Sequence, residues 1–169
     1  MTIYRKLSEL QEFGNVKWIM WANKYRGVAC APQLSGDPGS TLMPMKVKWL
    51  DAPEDHDYQA AANYLTMIAE PRLVDKTVAE LKGSKTVLRE AKDILRAAHL
   101  DLLPYGNEHV RSDLNKIAAG GKLSPILLVR GIAGKGVPLQ IADGYHRVCA
   151  SYLTDENTPI PCRLVSWQS

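Results

Sequence analysis

Apolar and polar residues recur along this chain with two periods, and the places where the period changes mark its elements. From Asp51 onward, Tyr58, Ala61, Ala62, Leu65, Ile68 and Ala69 follow the i, i+3, i+4, i+7 spacing of one helical face. Asp51 with Glu54 three positions later fits a capping pair, and Pro53 is tolerated in a first turn. Pro71 breaks the pattern. A second helix is expected over 73–81, stopping at Gly83. A third is expected over 86–98, with Val87, Leu88, Ala91, Ile94, Leu95 and Ala98 on one side. Beyond residue 100 the character alternates: an extended piece over 100–103, a helix over 109–119 and an apolar strand over 126–129. A glycine-containing turn over 131–136, a strand over 137–142, a helix over 145–153 and a strand over 160–165 complete the series. Such alternation predicts a mixed α/β fold.

Before Asp51 the pattern is less regular. Trp18-Ile19-Met20-Trp21 and Tyr25 suit a short strand or helix. The stretch 31–44 reads as a loop, because Pro32, Gly36, Pro38, Gly39 and Pro44 interrupt any period. Three stretches follow: an aromatic-rich arm and loop over 1–46, a helical extension over 47–99, and an α/β stretch over 100–169.

Composition narrows the class. With 169 residues, 46% of them hydrophobic, the chain is long enough to bury a core of its own. No apolar run approaches the ~18–20 residues of a membrane-spanning helix, and the first residues lack the apolar core of a secretory signal. Cys30, Cys149 and Cys162 are widely spaced, forming neither a disulfide framework nor a metal knuckle; reduced structural thiols in a cytoplasmic protein are expected. A formal net charge of +3 is mild for a duplex-DNA binder.

The densest chemistry lies at the expected junction of strand and helix, Asp143-Gly144-Tyr145-His146-Arg147. Free backbone N–H groups and the positive end of a helix favour an anion there. An imidazole and a guanidinium add charge and a planar donor fork suited to phosphate. Asp143 beside them is suited to hold a metal ion or a proton. Gly134-Lys135-Gly136 lacks the spacing of a phosphate-binding P-loop and joins two expected strands.

Asp143-Gly144-Tyr145-His146-Arg147, followed by Ala150, resembles the signature of the ParB/sulfiredoxin superfamily. The resemblance extends upstream through Leu102-Leu103-Pro104, the helix over 110–117 and the run Gly120 to Val129, which includes Ser124-Pro125-Ile126, and downstream through Ile160 to Val165. Tyr145 stands where sulfiredoxins carry their reactive cysteine, and no helix-turn-helix module follows residue 150. The Asp-Gly-x-His-Arg form is most similar to the free-serine kinase branch. The resemblance implies that 100–169 is a nucleotide-binding domain taking ATP, ADP or CTP with Mg²⁺. It further implies a phosphotransferase or NTPase acting on a small hydroxyl acceptor or on water. Gly144, Tyr145, His146 and Arg147 would hold phosphate, with Ser124 and Pro125 lining the pocket. Asp143 would bind metal, His146 would stabilise charge during transfer, and Glu108 would take a proton. A nucleotide-gated module contacting DNA or a protein partner is the alternative, and a nuclease ranks below both.

Other clusters have plainer readings. In Glu54-Asp55-His56-Asp57, successive helical positions point to different sides, and acidic residues suit a first turn without any metal. Lys85, Arg89, Lys92 and Arg96 would form a basic stripe on the third helix, most simply a solvated face interrupted by Glu90 and Asp93. Lys17-Trp18, Trp21, Lys24-Tyr25-Arg26 and Lys46-Val47-Lys48-Trp49 interleave cations and aromatics. That pattern suits base stacking, and more often marks core anchors.

Overall fold

The computed structural model describes residues 46–167. Trp18, Trp21, Tyr25, the loop over 31–44 and Cys30 lie outside the described residues. A short strand β1 (Lys48–Trp49) leads to helices α1 (Asp55–Leu65) and α2 (Pro71–Gly83). Strand β2 (Thr86–Glu90), helix α3 (Ala91–Ala98) and helix α4 (Glu108–Ala118) follow. Then come β3 (Lys122–Leu123), β4 (Ile126–Val129), β5 (Gln140–Asp143), helix α5 (Tyr145–Thr154) and β6 (Pro159–Val165). The expected mixed α/β class is what the chain adopts.

Four strands make one mixed sheet in the order β2-β6-β4-β5. β6 runs antiparallel to β2 and parallel to β4, and β4 runs antiparallel to β5. β1 and β3 form a separate parallel pair, Lys48 opposite Lys122 and Trp49 opposite Leu123. Helices cover both faces of the larger sheet, so β4 is buried along its whole length. Alternation along the strands assigns the faces. Leu127, Val129, Ala142 and Val165 meet Tyr58, Ala61 and Leu65 of α1 and Val74 and Leu81 of α2. Ile126, Leu128, Ile141, Ile160 and Cys162 meet the opposite layer: Ile94 and Leu95 of α3, Val110 and Ile117 of α4, and Val148 and Cys149 of α5. Met43–Ser169 makes one compact unit, which contains both the helical stretch and the α/β stretch. Among the described residues no helix is long and apolar enough to cross a membrane.

Several local expectations are corrected. The third helix over 86–98 is a strand followed by a helix. Residues 86–90 pair with β6, Val87 opposite Cys162, and Glu90 is extended (φ −74°, ψ 143°) where α3 begins. The helical period is carried by Ala91, Ile94, Leu95 and Ala98 alone, and Leu88 is 61% exposed. The stripe of Lys85, Arg89, Lys92 and Arg96 is therefore divided between a loop, a strand and α3. Lys92 Nζ pairs with Glu90 at 2.9 Å, and Arg96 with Asp93 at 2.8 Å. The cap of α1 is Glu54 rather than Asp51, with Asp57 reaching back to the Glu54 amide. Ile68 lies beyond the end of α1 and is half exposed. Residues 100–103 form no strand. β5 begins at Gln140, because Pro138 has no N–H to give a ladder and Val137 bridges Ile132 across the loop.

Candidate functional site

The site grows from the turn between β5 and α5. Gly144 caps the helix in the left-handed region (φ 100°), and a side chain there would run into Ile126 Cδ1. Only glycine fits without strain, which lets the backbone turn sharply from Asp143 into α5. No side chain caps this helix, so its first-turn N–H groups keep no partner from a capping residue. Residues 143–147 thereby present two different surfaces.

On the surface facing α1, Arg147 is held by the protein itself. Its Nη1 donates to the Ser124 carbonyl at 2.9 Å; its Nη2 donates to Asp57 Oδ1 at 3.0 Å and also to Asp143 Oδ2. Asp57 is 3% exposed. Its Oδ2 accepts from the Glu54 amide at 2.8 Å and from the Ser124 hydroxyl. The amide of Glu54 also lies 3.3 Å from Ser124 Oγ. Burial raises the Asp57 carboxyl, but the Ser124 hydroxyl, the Arg147 charge and the Glu54 amide outweigh it, and the net shift is downward. Asp143 goes the other way. Burial and the charge of Asp57 outweigh Arg147 and push its carboxyl up to about 6. Two acids share one guanidinium, and Asp57 is the one that keeps its charge.

On the surface facing α4 lies an open cavity of about 190 Å³. His109, Ser112 and Asp113 of α4 line it from one side, and Asp143, Gly144, His146 and Arg147 from the other. The rings of His109 and His146 stand 4.7 Å apart, tilted by 39°. Burial lowers the His146 imidazole, helped by His109 and Arg147 and opposed by Asp113. Burial raises the Asp113 carboxyl against the pull of Arg147, His146, Lys116 and His109.

The turn thus brings Asp143, Gly144, His146 and Arg147 together around one cavity. The other expected site residues stand apart from it. Tyr145 directs its hydroxyl to the Asp101 carbonyl, and its ring lies 5.9 Å from that of His146. Ser124 and Pro125 are buried outside the cavity lining, Ser124 committed to Asp57 and Arg147. The Glu108 side chain is 79% exposed and lines no part of the cavity; its Oε1 lies 3.7 Å from His109 Nε2. Cys149 and Cys162 are buried free thiols, and burial pushes Cys162 up to about 12.

The donor atoms of Glu54, His56 and Asp57 come within 4.8 Å of one another, contrary to their expected divergence, because Glu54 is the extended cap rather than a helical residue. Both oxygens of Asp57 are already used by Arg147, Ser124 and the Glu54 amide, which leaves that group poorly placed to take an ion.

Sequence reasoning missed two acids. Asp113 had a readable signal: with His109 and Ser112 it makes an i, i+3, i+4 polar face on a helix. Asp57 had none, since its partner Arg147 lies ninety residues away. No family model, curated protein or solved structure matches this chain.

Proposed function

We propose that the cavity between α4 and α5 binds the phosphate end of a nucleoside di- or triphosphate, as the resemblance to the ParB/sulfiredoxin superfamily implies. The observation that carries this reading is the uncapped start of α5, opening on a cavity walled by two imidazoles. An anion there receives first-turn amides and the positive end of the helix. His146 donates to a phosphate oxygen. Arg147 contributes through the N–H groups that Ser124, Asp57 and Asp143 leave unused. A cavity of this size takes phosphoryl groups, with the nucleoside at its mouth.

Phosphoryl transfer to a small hydroxyl compound or to water is the reaction class proposed. It requires mainly positioning and charge neutralisation. Asp143, with its carboxyl pushed up to about 6, suits a proton acceptor near neutral pH and is also suited to holding Mg²⁺ of a bound nucleotide. Asp113 is the second carboxyl within the cavity.

Calorimetric titration of the full chain with ATP, ADP, CTP and GTP, with and without Mg²⁺, tests the reading. Binding of at least one nucleotide is expected, weakened at least tenfold (about 1.4 kcal/mol) by His146→Ala. Absence of binding for all four, or equal affinity in the variant, overturns it. Phosphate release or transfer by the binding-competent protein then separates an enzyme from a nucleotide-gated module.

A further inference from the structure

We propose that a second cavity, between α3, the loop over 131–139 and the ends of β4 and β6, binds a small organic anion: one carboxylate on an aliphatic or aryl body.

The sheet sets the place. β4 and β6 are parallel neighbours, and in open α/β sheets the crevice outside the carboxyl ends of parallel strands is where small ligands bind. The cavity lies there, lined by Leu128 of β4, by Arg130 just after it and by Leu164 of β6. Its volume is about 540 Å³, within the ~300–1,000 Å³ of small-molecule sites. The turn that carries His146 lies towards the other end of β4, where Asp143 pairs with Leu127, and the two cavities share no lining residue. The carboxylate site therefore stands or falls separately from the phosphate reading.

Backbone bonds fix its walls. The Ile132 amide donates to the Val137 carbonyl at 2.9 Å and the Val137 amide returns to Ile132 at 3.2 Å. The Leu139 amide donates to the Ala97 carbonyl of α3 at 3.0 Å, which ties the loop to that helix. A Cβ on Gly131 would lie 2.2 Å from the Val137 carbonyl oxygen, so the loop closes this tightly only over glycine. A cavity braced in this way needs little ordering when a ligand enters.

The lining sets the chemistry. Ile94, Leu128, Leu139 and Leu164 offer apolar surface that suits a hydrocarbon body. Arg89 and Arg130 stand against the single carboxylate of Asp93, which already pairs with Arg96 at 2.8 Å. Arg89 gives Nη1 to the Leu88 carbonyl at 2.7 Å. Among the described residues the Arg130 side chain has no hydrogen bond or ion pair within the protein. A free guanidinium fork matches a carboxylate with two parallel bonds. Asp93 opposes a second negative charge in the same cavity, which selects a monoanion.

Calorimetric titration of the full chain with octanoate tests the proposal. Saturable one-to-one binding is expected, at least tenfold tighter than that of acetate, which lacks the apolar body, or of octanamide, which lacks the charge. Arg130→Gln keeps the backbone bond from residue 130 to the Val165 carbonyl and weakens octanoate at least tenfold. Ala97→Trp fills the cavity from an exposed position of α3 and does the same, with far-ultraviolet circular dichroism confirming that it folds. Lys135→Gln removes a cation of the same loop that is outside the lining, and leaves the affinity unchanged. No saturable binding, octanoate no tighter than acetate or octanamide, undiminished affinity in Arg130→Gln or Ala97→Trp, or an equal loss in Lys135→Gln overturns the proposal.

Discussion

Arg147 and His146 are neighbours on one helical turn, yet their surroundings are opposites. Towards α1, Arg147 meets a filled shell in which Ser124, Asp57 and Asp143 answer its donors and the Glu54 amide and Ser124 hydroxyl hold Asp57 in turn. Towards α4, His146 lines a cavity with Ser112 and Asp113, and among the described residues no protein hydrogen bond engages the side chains of these three. The first arrangement is a clasp, tying the starts of α1 and α5 to the turn before β4. The second is what a ligand site looks like, with polar groups whose hydrogen-bonding capacity is left for something else. A guanidinium beside a helix start is therefore not by itself a phosphate grip. Its partners decide whether its charge points inward to the fold or outward to a ligand.

The sharpest way to break this contrast is to remove Asp57. Asp57→Ala leaves a guanidinium that is 13% exposed with one carboxylate fewer, and loss of such a partner typically costs about 3–5 kcal/mol. Urea denaturation should show a loss of that order. An unchanged midpoint and slope would mean that the clasp contributes nothing to the fold.

A smaller, pH-dependent effect is expected of Asp143→Asn. In the native state the Asp143 carboxyl holds its proton up to about 6, while the unfolded chain releases it near the ordinary value of 3.8. Between those values the native state binds more protons, so stability contributed by this group falls as pH rises through the window. The melting temperature of wild type minus that of the variant should decline from about pH 4 to about pH 6 and then level off. A difference that is flat with pH, or that rises, would contradict the assignment. Asp57, shifted downward, acts with the opposite sign: its stabilisation is present above its unfolded pKa and is lost as pH falls through the lower folded value.

The smallest effect belongs to Glu108→Ala. Its side chain is largely in solvent and outside the cavity, so stability should change by less than about 0.5 kcal/mol. Nucleotide affinity should be unaltered, and a tenfold change measured by calorimetry would return Glu108 to the site.

Much of the architecture was readable because the signals were local. The apolar run Ile126–Val129 is a strand, and the period through Tyr58, Ala61 and Leu65 is a helix. The Asp-Gly step before Tyr145 marks a turn between strand and helix. What was misread depended on distant partners. Val87 and Leu88 fall in phase with the helix that follows, and only pairing with β6 makes their segment a strand. The clasp that engages Ser124 and Arg147 is likewise illegible in the sequence, because nothing near them announces Asp57. The helical period puts Asp113 on the face of His109 and Ser112, whereas Glu108 is favoured in the sequence only by its nearness to the helix start.

The position of β6 bears on how the chain is made. Among the described strands it is the latest in sequence, yet it lies inside the sheet, with β2 on one flank and β4 on the other. Until Pro159–Val165 has emerged, those neighbours present bare edges and an uncovered apolar floor. The sheet must therefore wait for Pro159–Val165 before its centre can close. A chain stopped short of β6 would lose the keystone of the sheet, not merely a fringe.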